Sequence, residues 1–124
     1  MHSSQAAAYS EVQKTTMSDR QAEAAALMKA AALMKRCQAS WEANDRSELM
    51  EKALRFNQLL WSFFQAALVD PQNPLPGHLK EDILRLSVFI DQRIFEIFAH
   101  PSPEKMNILI DINTNIAEGL RAAA

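Results

Sequence analysis

The sequence predicts an all-α protein, a single compact bundle of four helices preceded by an N-terminal arm. Apolar residues recur at intervals of three and four residues in four separate segments, which is the spacing of one helix face. Each segment starts or stops at a capping residue or a proline. The β-branched residues lie inside these helical repeats, so no segment keeps the alternation of a strand. With 124 residues, 48% of them hydrophobic, the chain is long enough to bury one core.

The chain begins with an arm, residues 1–17, that has weak periodicity and many small or polar residues. We expect this arm to be mostly irregular, with Tyr9, Val12 and Met17 as points of contact with the bundle. The bundle domain, residues 18–124, starts with a capping-box pattern at residues 18–21, in which Ser is followed three positions later by Gln. The first helix then carries one apolar stripe: Leu27, Ala31, Met34, Cys37 or Gln38, and Trp41.

The second helix, around residues 50–69, is the most apolar stretch of the chain, because no charged residue occurs from position 56 to position 69. We expect a helix this apolar to be covered from more than one side, which makes it the central helix of the bundle. Residues 45–48 repeat the capping-box pattern at its start. Asp70 ends it, since the residue before Pro71 is pushed out of helical geometry.

The connection after the second helix, residues 71–77, contains three prolines and is expected to be extended, with Leu75 in contact with the bundle. A third helix follows at about residues 79–99 as another interior helix. Its two neighbouring apolar stripes are Leu79, Ile83, Leu86, Ile90, Ile94 and Ile97, and Leu84, Val88, Phe95 and Phe98. Ser102 is the expected N-cap of the fourth helix, and Gly119 is its expected C-cap.

Charge and cysteine content exclude several classes of protein. The formal net charge is −2 with acidic and basic residues interleaved, so the chain has no overall attraction for nucleic acid or for an anionic membrane. Cys37 is the single cysteine and cannot form an intramolecular disulfide, and its place on an apolar stripe predicts a buried, inert thiol. No secretory signal and no membrane-spanning run of apolar residues is present. These features predict a cytoplasmic protein.

No catalytic, cofactor or metal site is expected. His2, His78 and His100 are too scattered to share a metal ion, and the chain has no glycine-rich phosphate loop. The sequence offers no convergent set of nucleophile, base and oxyanion donors. We therefore predict a non-enzymatic protein without a cofactor.

Two sets of residues stand out instead. Asn57 and Asn113 each occupy an apolar stripe, either as a buried polar pair that fixes the helix register or as polar contacts for a bound peptide. The aromatic residues exceed the need of one core face, and they are either core residues or the lining of a groove for an amphipathic helix. These aromatics are Phe56, Phe63, Phe89, Phe95 and Phe98.

The chain resembles the FlaF family of flagellar biosynthesis regulators of alphaproteobacteria. The similarity extends from Ala-Tyr at 8–9 to Leu-Arg at 120–121. Its motifs include Ser-Asp-Arg-Gln-Ala-Glu at 18–23, Ala-Leu-Arg-Phe-Asn-Gln-Leu-Leu-Trp at 53–61, Asn-Pro-Leu-Pro at 73–76 and Leu-Ile-Asp-Ile-Asn at 109–113. Gln58 and Thr114 depart from the family pattern, which usually has basic residues after both asparagines.

The resemblance implies a small, non-enzymatic cytoplasmic protein that promotes flagellin synthesis and secretion, with or against the repressor FlbT. We accordingly predict a chaperone or adaptor that binds unpolymerised flagellin for flagellum assembly and motility, with FlbT as a further partner. The alternatives are an RNA-binding regulator of flagellin translation, which the charge does not favour, and a bundle whose surplus apolar surface forms an oligomer interface. The predicted partner-binding residues are Tyr9, Phe56, Asn57, Trp61, Phe63, Phe64, Leu75, Phe89 and Asn113.

Overall fold

The structure, a computed structural model, describes residues 19–123 of the chain. The predicted arm with Tyr9, Val12 and Met17 lies outside the described residues, and so does Ser18 of the first capping pattern. Four α-helices follow in order: α1 (Asp19–Ala39), α2 (Arg46–Val69), α3 (Gly77–Ala99) and α4 (Asn107–Ala123). A short 3-10 helix, Pro103–Met106, precedes α4. The prediction of an all-α protein with four packed helices is confirmed.

Helix α1 packs most extensively against α4 and then against α2, while α3 packs mainly on α2. The buried face of α1 combines small and large side chains, Ala24, Ala30 and Ala31 with Leu27 and Met34. Small side chains allow the backbones of two helices to come together, and the larger ones fill the space between. The alanine-rich helix α1 makes the most extensive contacts in the bundle.

Helix α2 packs against both α1 and α3, but part of its apolar surface stays exposed. Met50, Ala53, Leu54 and Trp61 are buried in the core, but side chains on the opposite face of the same helix are exposed. The prediction that more than one neighbour covers this helix is confirmed, but α1 and not α2 makes the most extensive contacts, so α2 is not the central helix of the bundle. Its apolar residues exceed what α1, α3 and α4 cover.

The same is true of α3. Ile90, Ile94 and Ile97 on the first predicted stripe are buried, whereas Val88 and Phe95 on the second stripe are exposed. The expectation that both stripes lie inside the bundle is wrong for Val88 and Phe95, whereas Leu84 and Phe98 of the same stripe are half-buried.

Helix boundaries follow the predicted signals with several differences, the first of which is that α1 ends at Ala39 and leaves Trp41 of the predicted stripe beyond the helix. Asp45 occupies the predicted N-cap position of α2, but Ser102 precedes the 3-10 helix and not α4, and neither side chain makes a capping hydrogen bond. Ser102 Oγ instead donates to Glu104 Oε2 at 2.8 Å. Helix α3 begins at Gly77, two residues before the predicted start. Gly119 lies inside α4 without a positive φ angle, so the predicted C-cap is wrong.

The connection between α2 and α3 is held by the side chain of Asn73. Its Oδ1 accepts from the backbone N–H of Leu75 at 3.0 Å, and its Nδ2 donates to the carbonyl oxygen of Ala67 at 3.2 Å. These two bonds replace hydrogen bonds that the prolines cannot donate. They direct Leu75, which is half-buried, back toward the bundle as predicted.

Candidate partner-binding surface

A buried polar network joins α1, α2 and α4. Asn113 Nδ2 donates to Asn57 Oδ1 at 2.7 Å, and Asn113 Oδ1 accepts from Trp61 Nε1 at 3.0 Å. The same Nδ2 lies 3.5 Å from the backbone oxygen of Leu27. The Asn57, Trp61 and Asn113 side chains are fully buried. The predicted pairing of Asn57 with Asn113 in the core is confirmed.

The indole of Trp61 fixes the orientation of both amides. Because an indole N–H can only donate, the Asn113 atom that faces it must be the oxygen. Asn113 then presents its nitrogen to Asn57, which must accept with its oxygen. Asn57 Nδ2 consequently points away, and it has no hydrogen-bond partner among residues 19–123. An unpaired buried amide nitrogen is destabilising, so the network includes one unfavourable group.

Both α2 and α3 carry large apolar side chains that are exposed. The exposed fraction is 60% for Leu59, 68% for Phe63, 54% for Val88 and 77% for Phe95. We call these four residues the outer apolar face. Single exposed apolar residues are ordinary in soluble proteins, but a group of this size on two adjacent helices is typical of an interaction site.

Two contacts set the register of the helices that carry this face. The Arg55 guanidinium lies 4.7 Å from the centre of the Phe98 ring, and Gln65 Nε2 donates to Asp91 Oδ2 at 3.4 Å. The helices are therefore antiparallel. Since Leu59 is about one turn beyond Arg55 and Phe95 about one turn before Phe98, Leu59 and Phe95 lie at the same level along the pair.

A second apolar feature is a half-open cavity of about 360 Å³ at the end of the bundle where α1 begins and α4 ends. We call it the end cavity. The polar residues that line it are Arg20, Glu23, Asn73 and Asn115, and the first two form an ion pair at 3.3 Å. The remaining walls are mostly apolar and come from α2, the connection, α3 and α4: Phe64, Leu68, Leu75, Leu79, Ile83, Ile116 and Leu120.

The model of the family described as flagellar protein FlaF matches residues 5–120, which include both apolar features and most of α4. The chain belongs to the flagellar protein FlaF family. The resemblance predicted from the sequence is thereby confirmed, together with a broad role in flagellum biosynthesis. No match was found among curated proteins or among solved structures.

This FlaF chain places five of the predicted partner-binding residues in or next to the core. Asn57, Trp61 and Asn113 form the buried network and hold together the helices that carry the surface. Phe64 packs edge-on against Trp61, with ring centres 5.3 Å apart, and lines the end cavity together with Leu75. The role of these residues in partner binding stays a prediction.

Cations cover three of the surplus phenylalanines. Lys29 Nζ lies 5.1 Å from the centre of the Phe56 ring, and the Arg93 guanidinium lies 5.5 Å from that of Phe89. Arg55 covers Phe98 in the same way, and all three rings are half-buried. In each case the cation is attracted to the face of the aromatic ring and covers part of it. Phe56 and Phe89 are therefore less available to a partner than Phe63, which lies on the outer apolar face. Tyr9 lies outside the described residues.

The predicted partner-binding residues do not include Leu59 or Val88, and Phe95 is predicted only as one of the aromatics that are either core residues or the lining of a groove. The available signal was a second apolar stripe on α3 and an apolar arc on α2 that is wider than one face. The same signal is equally typical of a buried helix, which is why it predicts core positions.

Within residues 19–123, no three His, Cys, Asp or Glu side chains are grouped closely enough to hold a metal ion. None of the helices in this part of the chain combines the length and the hydropathy that a membrane crossing requires. Burial raises the pKa of the Cys37 thiol, and the positive charge of Arg46 partly opposes this rise. Cys37 is fully buried, as predicted.

Proposed function

We propose that this FlaF chain binds unpolymerised flagellin as a chaperone or adaptor, and that it thereby promotes flagellin synthesis and secretion for flagellum assembly. The observation that carries the proposal is the outer apolar face, on which Phe63 and Phe95 expose most of their ring surface. The flagellar family supports the choice of a flagellar partner.

The proposed mode of binding is an amphipathic helix laid along the groove between α2 and α3. The terminal helices of flagellin are amphipathic and have no packing partner before the filament assembles, so their apolar stripes need cover. Two antiparallel helices with Leu59 and Phe95 at the same level offer a complementary apolar strip. Aromatic rings dominate such interfaces because each buries a large area at a low cost in side-chain entropy.

The alternative of a regulator that binds flagellin messenger RNA has less support. Lys29, Lys35 and Arg36 on α1 form one short basic patch, and Lys29 already lies over the Phe56 ring. Affinity for RNA increases with the number of phosphates that basic residues neutralise. With 13 basic and 15 acidic residues, the chain has no excess of positive charge with which to neutralise phosphates.

Calorimetric titration of purified flagellin monomer into the full chain tests the proposal. We expect Phe63→Ala to weaken binding by at least about 2 kcal/mol, as for a residue at the centre of an interface. Because Phe63 is exposed, the thermal midpoint of the free protein should change little. The matched control is Ile108→Ala, which removes a partly exposed apolar side chain on a different helix and should leave the affinity unchanged.

The salt dependence of binding distinguishes a partner held by apolar contacts, such as flagellin, from one held by charge, such as RNA. Binding driven by apolar burial should change little between low and high ionic strength, whereas binding carried by charges weakens strongly. No detectable heat from the wild-type protein would contradict the proposal. An equal loss of affinity for Phe63→Ala and Ile108→Ala would show that the outer apolar face is not the site.

A further inference from the structure

The end cavity has a volume of about 360 Å³, is half-open to solvent and is lined mostly by apolar side chains. Water bound there would face walls made mostly of apolar side chains such as Leu68, Ile83 and Ile116, which offer no hydrogen bonds. The cavity is therefore better filled by apolar side chains than by solvent.

Helix α1 begins beside the end cavity. Arg20 and Glu23 of its first turns line the cavity, so the chain before Asp19 is connected to α1 at this end of the bundle. Eighteen residues precede α1, and the family match already begins at residue 5. Residues 5–18 thus belong to the sequence that the family shares.

The composition of this segment fits the cavity. Between residues 5 and 18 the only charged residues are Glu11 and Lys14, one of each sign, and the large apolar side chains are Tyr9, Val12 and Met17. At no more than about 3.6 Å per residue, Val12 can lie up to ~25 Å from Asp19 and Tyr9 up to ~36 Å, so each can reach the walls. A tyrosine ring also suits a mostly apolar cavity with polar lining residues, since its hydroxyl needs a hydrogen-bond partner.

We propose that the N-terminal segment of this chain, residues 1–18, fills the end cavity of the same molecule, with Tyr9 and Val12 as its anchors. Connection to α1 keeps the segment at a high effective concentration beside the cavity, which a separate protein would have to exceed. The outer apolar face remains free for a partner, so this inference does not depend on the proposed function.

Thiol labelling of the full chain tests this assignment. Leu75→Cys places a thiol on the cavity wall, and its rate of reaction with a maleimide reports how often the cavity is open. Adding Tyr9→Ser together with Val12→Ser should raise that rate about tenfold or more, because the burial of two apolar side chains is lost. The matched control replaces two polar residues of the same segment, Glu11→Ser with Gln13→Ser, and should leave the rate unchanged.

Two further measurements make the test specific. A thiol on the outer apolar face, Phe95→Cys, should react at one rate in all segment variants, and Cys37 should stay unreactive throughout, which confirms that each variant is folded. Protection of Leu75→Cys should be the same at protein concentrations a hundredfold apart, as intramolecular docking requires. If the labelling rate at Leu75→Cys is the same with and without Tyr9→Ser and Val12→Ser, the proposal is overturned. Protection that increases with concentration would also overturn it, in favour of a second copy of the chain in the cavity.

Discussion

The buried amide network predicts unequal effects for two similar substitutions, Asn57→Leu and Asn113→Leu. Each newly unpaired buried polar group costs about 1–3 kcal/mol of stability. Asn113→Leu leaves two groups unpaired, Trp61 Nε1 and Asn57 Oδ1, so it should destabilise the protein by about 2–6 kcal/mol.

Asn57→Leu has two opposing effects. It leaves Asn113 Nδ2 with only its 3.5 Å contact to the Leu27 oxygen, but it also removes the unpaired Asn57 Nδ2. The net change in unfolding free energy should stay within about 1 kcal/mol.

The double variant is the decisive measurement, because only Trp61 Nε1 is then left without a partner. We expect it to be more stable than Asn113→Leu alone, and less destabilised than the sum of the single variants by about 1–3 kcal/mol. A second substitution that restores stability is the signature of a direct contact.

Urea denaturation followed by circular dichroism gives the unfolding free energies, provided that the denaturant slope is the same in all variants. The matched control is Ser87→Ala, which removes a buried hydroxyl that bonds within α3 at 2.7 Å and lies outside the network. Its effect should add to that of Asn57→Leu within about 0.5 kcal/mol. Strict additivity between Asn57→Leu and Asn113→Leu, or a larger effect of Asn57→Leu, would refute the network as described.

Three further substitutions test local features. A Cβ on Gly119 meets no atom within 4 Å, so Gly119→Ala should raise stability by about 0.5–1 kcal/mol, and a lowered thermal midpoint would contradict its helical place. The raised pKa of Cys37 keeps the native thiol protonated after the unfolded one ionises, so stability should fall above about pH 8.5 and fall less in Cys37→Ala. The hydrogen bond from Ser102 holds the pKa of the Glu104 carboxyl below its ordinary value. The stability that this hydrogen bond contributes is therefore present above the ordinary pKa of glutamate and is lost as the pH falls through the lowered pKa. Ser102→Ala should raise this pKa in an NMR titration, and an unchanged value would show that the hydrogen bond does not matter.

The number and type of the helices follow from the sequence because both depend on neighbouring residues. The interval between apolar residues gives the helical period, and Asp70 before Pro71 ends α2 at Val69 for a steric reason within the chain. The error at Gly119 has the same origin. Glycine is permitted at a C-cap but does not require one, and packing of the last α4 turns against the bundle extends the helix past it.

The pairing of Asn57 with Asn113 could be predicted because a polar side chain on an apolar stripe must find a partner when it is buried. The hydrogen bond from the Trp61 indole to Asn113 could not be predicted from the sequence. Any indole on that stripe would serve as an apolar filler, and only the arrangement of α2 against α4 turns its N–H toward Asn113 and leaves Asn57 Nδ2 unpaired.

The sequence by itself determined the four helices, the family and the presence of more apolar surface than one core needs. Which of that surface is exposed was decided only by the tertiary structure. Helix α1 packs most extensively against α4, and apolar side chains of α2 and α3 are left without a covering helix among residues 19–123. The end cavity likewise exists only after folding, because its walls come from four helices and a connection that are distant in the chain and meet only when the bundle forms.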